Sequence, residues 1–179
     1  MNLGFIIVNP DKKISDLRHT WASIRRHNWG AEMIHILPKG ADAKDMKESK
    51  ELCKSTHRGG ENDISMINMG FKKSKSEWCV VVKAGTAIRG GMQYKYGSQL
   101  KSEKDIFFPI TVGTPTNFLD ASMSGIAINR EFFKEVGDFP DNEMWKASDP
   151  GFNLFKMLWV GDAMKLGCKF KAVLGCYPK

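Results

Sequence analysis

An α/β domain with a mostly parallel sheet and helices on both faces is what this sequence predicts, on three observations. Two short apolar runs, Gly4 to Val8 and Trp78 to Val82, have the β-branched content of buried central strands. Around them lie segments whose apolar residues recur at helical spacing. Turn residues separate the two kinds of segment, as strand and helix alternation requires. The length of 179 residues, with 42% hydrophobic and 26% charged, fits one domain spanning 1–179.

The elements follow in order. After Val8, Asn9-Pro10 stops the first strand, and Ser15 is a suitable N-cap for a helix that turns Leu17, Trp21 and Ile24 inward and exits at Gly30. Ala31 to Leu37 reads as a second strand. A polar helix over Asp42 to Lys54 follows, with Met46 and Leu52 inward, and Thr56 to Gly60 reads as a loop. Asp63 to Phe71 places Ile64, Ile67 and Phe71 on one helical face, leading into the Trp78 strand with Lys83 at its carboxyl end. In the second half, Met92 to Leu100 is expected as a helix, Ile106 to Ile110 as a strand, Gly125 to Ile128 as a strand, and Arg130 to Val136 as a helix. The longest helix is expected from Ser148-Asp149-Pro150 through Phe155, Leu158 and Trp159 to Leu166, with a closing strand over Cys168 to Val173.

Composition excludes several classes. No apolar run approaches the roughly 18–20 residues of a membrane span, and the first residues lack a signal-peptide pattern, so a soluble cytoplasmic protein is expected. Cys53, Cys79, Cys168 and Cys176 form no C-x-x-C pair and read as reduced structural thiols. The four histidines show no paired metal spacing, so no metal ligands are assigned. The net charge is +7, of which residues 1–89 carry +6. Such a half suits either a solvated basic face or a site for phosphate groups. The basic residues are not interleaved with a dense aromatic pattern, which argues against nucleic acid as a partner.

Three pieces of the chain, in order, resemble the GT-A family of nucleotide-sugar glycosyltransferases, particularly its inverting bacterial and viral members. The first is the strand and helix GFIIVNP…ISDLRHTWASIRRHN. The second, INMGFKKSKSEWCVVVKAGT, is similar to the family's Ala-Arg-Asn-x-Gly helix and the strand that carries Asp-x-Asp, with Asn68, Gly70 and Glu77 in register. The third is GIAINREFFKEVGDFPDN followed by ASDPGFNLFKMLWVGDAMKLGCKFKAV, similar to an Arg-x-x-Phe-x-x-x-Gly-Gly-Phe segment and a Glu-Asp helix start. The resemblance implies a three-layer α/β/α GT-A domain, with residues 1–89 as a nucleotide-binding half and 90–179 as an acceptor-side half. It also implies transfer of a sugar from a nucleotide-diphosphate donor to a glycan or other hydroxyl acceptor, by inverting displacement.

Site residues carry over position by position. Asp149 matches the general base, although Ser148 or Asp149 followed by Pro150 is also an ordinary helix start. Asn9, Asn68, Lys83, Ala84 and Gly85 match the donor side, and Asp120 and Trp145 the acceptor side. Where the family has Asp-x-Asp, this chain has Lys83-Ala84-Gly85, so the carboxylates that would hold Mn²⁺ or Mg²⁺ are replaced by a cation. Lys83 could place its charge directly against a diphosphate, making transfer metal-independent. Pro38 and Lys39 stand where the family carries a nucleobase-contacting Asp, so base recognition must come from elsewhere. Arg58-Gly59-Gly60 is a basic turn. These losses leave a second reading open, a GT-A-like binding module that holds a nucleotide, glycan or protein without catalysis.

Overall fold

Strand β1 (Leu3–Val8) is buried along its whole length, as its unbroken apolar sequence requires, and it is an interior strand, third in order, of a seven-stranded sheet. The computed structural model describes residues 2–88, 90–110, 124–141 and 158–174. Helix α1 (Ile14–His27) leads to β2 (Glu32–Leu37), α2 (Ala43–Leu52), β3 (Ser55–Arg58), α3 (Asp63–Lys73) and β4 (Trp78–Lys83). Then come α4 (Met92–Gly97), β5 (Asp105–Ile110), β6 (Ala127–Asn129), α5 (Arg130–Val136), a helical stretch over residues 158–165, and β7 (Lys169–Leu174).

The sheet order is β3-β2-β1-β4-β6-β5-β7. β1 pairs in parallel with both β2 and β4, β2 with β3, and β5 with β7, whereas β6 runs antiparallel to its neighbours β4 and β5. The sheet is therefore mostly parallel, as expected. One core lies between it and α3, α5 and residues 158–165, and includes Ile6, Ile34, Ile67, Phe71, Phe133 and Trp159. The other lies between it and α1 and α4, and includes Phe5, Ile7, Leu17, Ile24, Trp78 and Tyr96. Two cores on opposite sheet faces are the energetic content of a three-layer α/β/α fold. Each face takes alternate residues of the same strand, Ile6 and Val8 on one side and Phe5 and Ile7 on the other.

Four sequence expectations are corrected. The stretch from Thr56 is not all loop, because Ser55 to Arg58 pair with Ile34 to Leu37 as β3. This strand lies at the sheet edge, where a polar Ser-Thr-His-Arg run carries no apolar signal. Ser15 is not the cap of α1; the helix begins at Ile14 after Lys13, which makes no side-chain cap bond. Met46 is only half-buried, and in α2 it is Ser49 that is buried, whereas Trp21 and Leu52 do turn inward and pack, partly buried, against the core. α4 stops at Gly97, short of Leu100.

Candidate functional site

The parallel half of the sheet defines a crevice. From β1 the chain passes through α1 to β2 on one side, and it returns through α3 to β4 on the other side, with α1 and α3 on opposite faces. Strand order thus reverses between β1 and β4, and open α/β sheets bind ligands outside the carboxyl ends of the strands at that point. Val8 pairs with Lys83 there, so Asn9 and Lys83 to Gly85 emerge side by side. Asn9 N–H donates to the Ile36 carbonyl at 3.0 Å, and Ala84 N–H donates to the Val8 carbonyl at 2.8 Å. The Lys83 N–H donates to Ser124 Oγ at 3.0 Å. Backbone bonds on both sides therefore fix where the Lys83 side chain starts, while the side chain itself is exposed. Among the described residues Lys83 makes no ion pair.

Beyond Lys83 the chain is strapped to α1. Gly85 has φ +93°, a conformation that favours glycine, and its N–H donates to Thr20 Oγ1 at 3.0 Å and to the Asp16 carbonyl at 3.2 Å. Thr20 Oγ1 donates onward to the Thr86 carbonyl at 2.9 Å, and Ile88 N–H donates to Ser23 Oγ at 2.9 Å. The Asp16 carboxylate lies beside Gly85, 3.6 Å from where a Cβ would stand. Sequence reasoning passed over Asp16; its only signal is an acidic residue in the first turn of the helix after β1.

The same end of α1 has a second property. Asp42, Asn62 and Asn129 cap α2, α3 and α5 with side-chain hydrogen bonds, but the first turn of α1 has no such cap. Asn9 instead donates through Nδ2 to the Lys13 carbonyl at 3.2 Å, and its side chain is almost fully buried. The N–H groups at the start of α1 therefore remain available at the crevice, with the positive end of the helix dipole behind them.

Asn68 is placed differently from the other expected donor residues. It sits on α3, where Nδ2 donates to the Phe139 carbonyl at 2.8 Å and Oδ1 accepts from Phe139 N–H at 3.0 Å. Both ends of the amide hold the turn after α5 against α3. No local sequence signal could have revealed a bond between residues 71 positions apart. Asp149, Asp120 and Trp145 lie outside the described residues.

A cleft of about 470 Å³ opens at the ends of β2 and β3, lined by Pro38, Lys39, Gly40, Gly60 and Glu61. Lys39 Nζ lies 3.7 Å from Glu61 Oε1. A carboxylate thus reaches the region where sequence comparison finds Pro38-Lys39, contributed by the loop after β3. Arg58 is turned away and donates to the Ala41 carbonyl at 2.9 Å. The residues at the β4 end do not fit a divalent cation, because Lys83 is cationic and Ala84 and Gly85 offer no side-chain oxygen. Among the described residues no group of three potential metal ligands occurs.

The sequence matches no protein-family model and no curated protein. Solved structures do resemble the fold. A mannosyltransferase from Pyrobaculum calidifontis, in complex with GDP-Man and Mn²⁺, superposes with a TM-score of 0.67 over 99% of this chain, at 9% identity. S. aureus TarS 1–349 in complex with UDP gives 0.63 over 98% of this chain at 11% identity, and TarS gives 0.64 over 98% at 12%. The chain has the GT-A fold. It spans 57% and 58% of the first two of those chains and 35% of the third. Within the GT-A fold the β1–β4 crevice is where Asn9, Lys83, Ala84 and Gly85 lie together, while Asn68 lies on α3 with its amide bonded to Phe139. No helix among the described residues is long and apolar enough to cross a membrane.

Proposed function

We propose that the protein is a glycosyltransferase that binds a nucleotide-diphosphate sugar at the carboxyl ends of β1 and β4 and moves the sugar to a hydroxyl acceptor without a bound metal ion. The observation that carries this reading is the position of Lys83, an exposed cation fixed by backbone bonds at the point of strand reversal. The fold supports donor binding, since neighbours of the same fold are in complex with UDP and with GDP-Man and Mn²⁺. An ammonium at this point and the uncapped start of α1 together suit a diphosphate, because both meet negative charge with N–H donors. Glu61 in the adjoining cleft offers an acceptor for a nucleobase N–H.

In the proposed reaction the acceptor hydroxyl oxygen attacks the anomeric carbon from the face opposite the diphosphate. The new C–O bond forms as the old one breaks, and the electron pair of the breaking bond leaves on the diphosphate oxygen. Asp149 takes the hydroxyl proton as general base. Lys83 compensates the charge that grows on the leaving diphosphate, an electrostatic role that strengthens as the bond breaks. Inversion at the anomeric carbon follows from a single displacement. Asp120 and Trp145 are assigned to the acceptor side.

Binding and turnover separate these roles. Titrating UDP-, GDP- and other nucleotide-sugars with and without Mn²⁺ should give saturable binding that the metal leaves unchanged. Lys83→Ala should weaken it about tenfold to a hundredfold, the worth of one charge-assisted hydrogen bond. Asp149→Asn should abolish transfer and leave donor affinity intact. Binding of no nucleotide-sugar would overturn the reading, and donor binding without transfer to any hydroxyl acceptor would point to a binding module of the same fold.

A further inference from the structure

At the other end of α1 from the crevice, two large aromatic side chains stand almost fully in solvent. Trp29 is 86% exposed and Tyr94 is 81% exposed. They belong to neighbouring pieces of surface. A Cβ on Gly91 would lie 3.7 Å from the His27 carbonyl and 4.0 Å from Tyr94 Cβ, so the start of α4 abuts the last turn of α1, two residues before Trp29. That last turn presents Arg25, Arg26 and His27, all exposed. Arg25 lies over the Trp21 ring, 5.5 Å from its centroid. The two stretches that build this corner, 17–31 and 78–102, contain no Asp or Glu at all. Basic residues in a last helical turn are ordinary complements to the helix dipole. A tryptophan and a tyrosine exposed beside them, in two stretches without acidic residues, are not accounted for by that role or by packing.

From this juxtaposition we infer that the corner formed by the end of α1 and the start of α4 docks on an anionic membrane surface. Tryptophan and tyrosine are the side chains best suited to the boundary between water and acyl chains, having an apolar ring and a polar handle. Cationic side chains around them are drawn to the negative potential of anionic headgroups. Trp29 and Tyr94 project outward from a helix end and a short helix, which suits a broad planar interface better than a channel for a single strand of nucleic acid. The docked orientation leaves the crevice free. α1 has 14 residues and so spans about 20 Å, which sets the β1–β4 end well away from a bilayer that meets its far end. This inference goes beyond the donor reading and does not depend on it.

The test is flotation of the intact chain with vesicles of phosphatidylcholine alone and of phosphatidylcholine with about a third phosphatidylglycerol. Binding is expected to the anionic vesicles only, falling as salt rises. Arg25→Ala with Arg26→Ala should lower the partition coefficient about thirtyfold. Trp29→Ser with Tyr94→Ser should lower it about tenfold or more, and these exposed positions can change without loss of folding, to be checked by circular dichroism. Absence of binding to anionic vesicles would overturn the proposal, as would equal binding by the variants and the native chain. Oligonucleotide binding that the same variants abolish, with no vesicle binding, would assign the corner to nucleic acid and also overturn it.

Discussion

Replacing Gly70 by alanine tests how closely α3 must approach the sheet that carries the site. Gly70 is buried on the inner side of α3, and a Cβ there would stand 2.1 Å from Ile6 Cγ2 and 3.1 Å from Ile6 Cγ1. Ile6 is fully buried in β1, an interior strand of the sheet. On helix propensity alone the change should stabilise the protein by about 0.5–1 kcal/mol, since Gly70 lies in a helix interior. The clash acts in the other direction. A contact near 2 Å forces α3 off β1 or Ile6 out of its rotamer, and overpacking of this kind costs about 1–3 kcal/mol, enough to reverse the sign. A loss of about 1–2 kcal/mol should lower the melting temperature by a few degrees in a chain of this length. Ile6→Ala alone should cost about 2–5 kcal/mol through the cavity it leaves. In the double variant the alanine Cβ enters that cavity, so the combined loss should be smaller than the sum by about 1 kcal/mol or more. Thermal and urea unfolding of the four proteins measures each term. A Gly70→Ala protein more stable than the parent, or strict additivity with Ile6→Ala, would refute the close packing of α3 on β1.

Three further outcomes follow from the core and its polar bonds. His35 is fully buried on β2, its Nε2 has no partner among the described residues, and burial pushes its pKa down to about 4. The unfolded chain therefore takes up the proton first, so stability should fall by about 3 kcal/mol as pH drops from about 6.5 to about 4, and His35→Leu should flatten that limb in urea titrations. Glu32 accepts hydrogen bonds from Ser74 Oγ, Ser76 Oγ and the N–H groups of Lys75 and Ser76. Burial alone would raise its pKa, but those bonds outweigh it and hold the carboxyl below its ordinary value. Its contribution should therefore be lost only at lower pH, from about 4.5 downward, and persist in the His35→Leu protein. Asn68→Ala should cost about 2–4 kcal/mol by removing both buried hydrogen bonds between its amide and the Phe139 backbone, measured by urea unfolding.

The legible parts of the fold are those where one residue type answers one local demand. β1, and β4 up to Lys83, are apolar because both of their faces are covered, and α5 runs over Arg130–Val136 as its pattern predicts. β3 was hidden because an edge strand needs only backbone partners, and Ile34 to Leu37 supply them whatever the side chains are. The reversed direction of β6 was hidden too, since Ala127–Asn129 is too short for periodicity to speak of orientation. At the site, Lys83 was legible because a charged residue ending an apolar strand has a fixed place in such sheets. Asp16 and Glu61 were not, because each reaches the crevice region from another loop or helix. Asn68 illustrates the reverse case. Its place in the Asn-x-Gly motif was legible, yet its partner, Phe139, depends on the tertiary packing of α3 against the turn after α5.

The distribution of cations changes what the excess charge of residues 1–89 can mean. At the strand carboxyl ends, Lys12 faces Asp45 at 3.6 Å, Lys39 faces Glu61 at 3.7 Å, and Arg58 is held on the Ala41 carbonyl. Those cations are already matched by neighbours, so the crevice does not owe its character to a general positive field. It rests on Lys83 and the N–H groups at the start of α1. At the far end of α1, Arg25 and Arg26 form a second cationic group, where no Asp or Glu of the same stretch offsets them. Salt should separate the two. A long-range field at an exposed corner is screened over about 8–10 Å at ordinary ionic strength, whereas a short contact between one ammonium and a diphosphate is screened less. Raising salt should therefore release the chain from anionic vesicles while nucleotide-sugar binding persists. Equal salt sensitivity of the two would show that a single basic surface serves both, against the division that the fold implies.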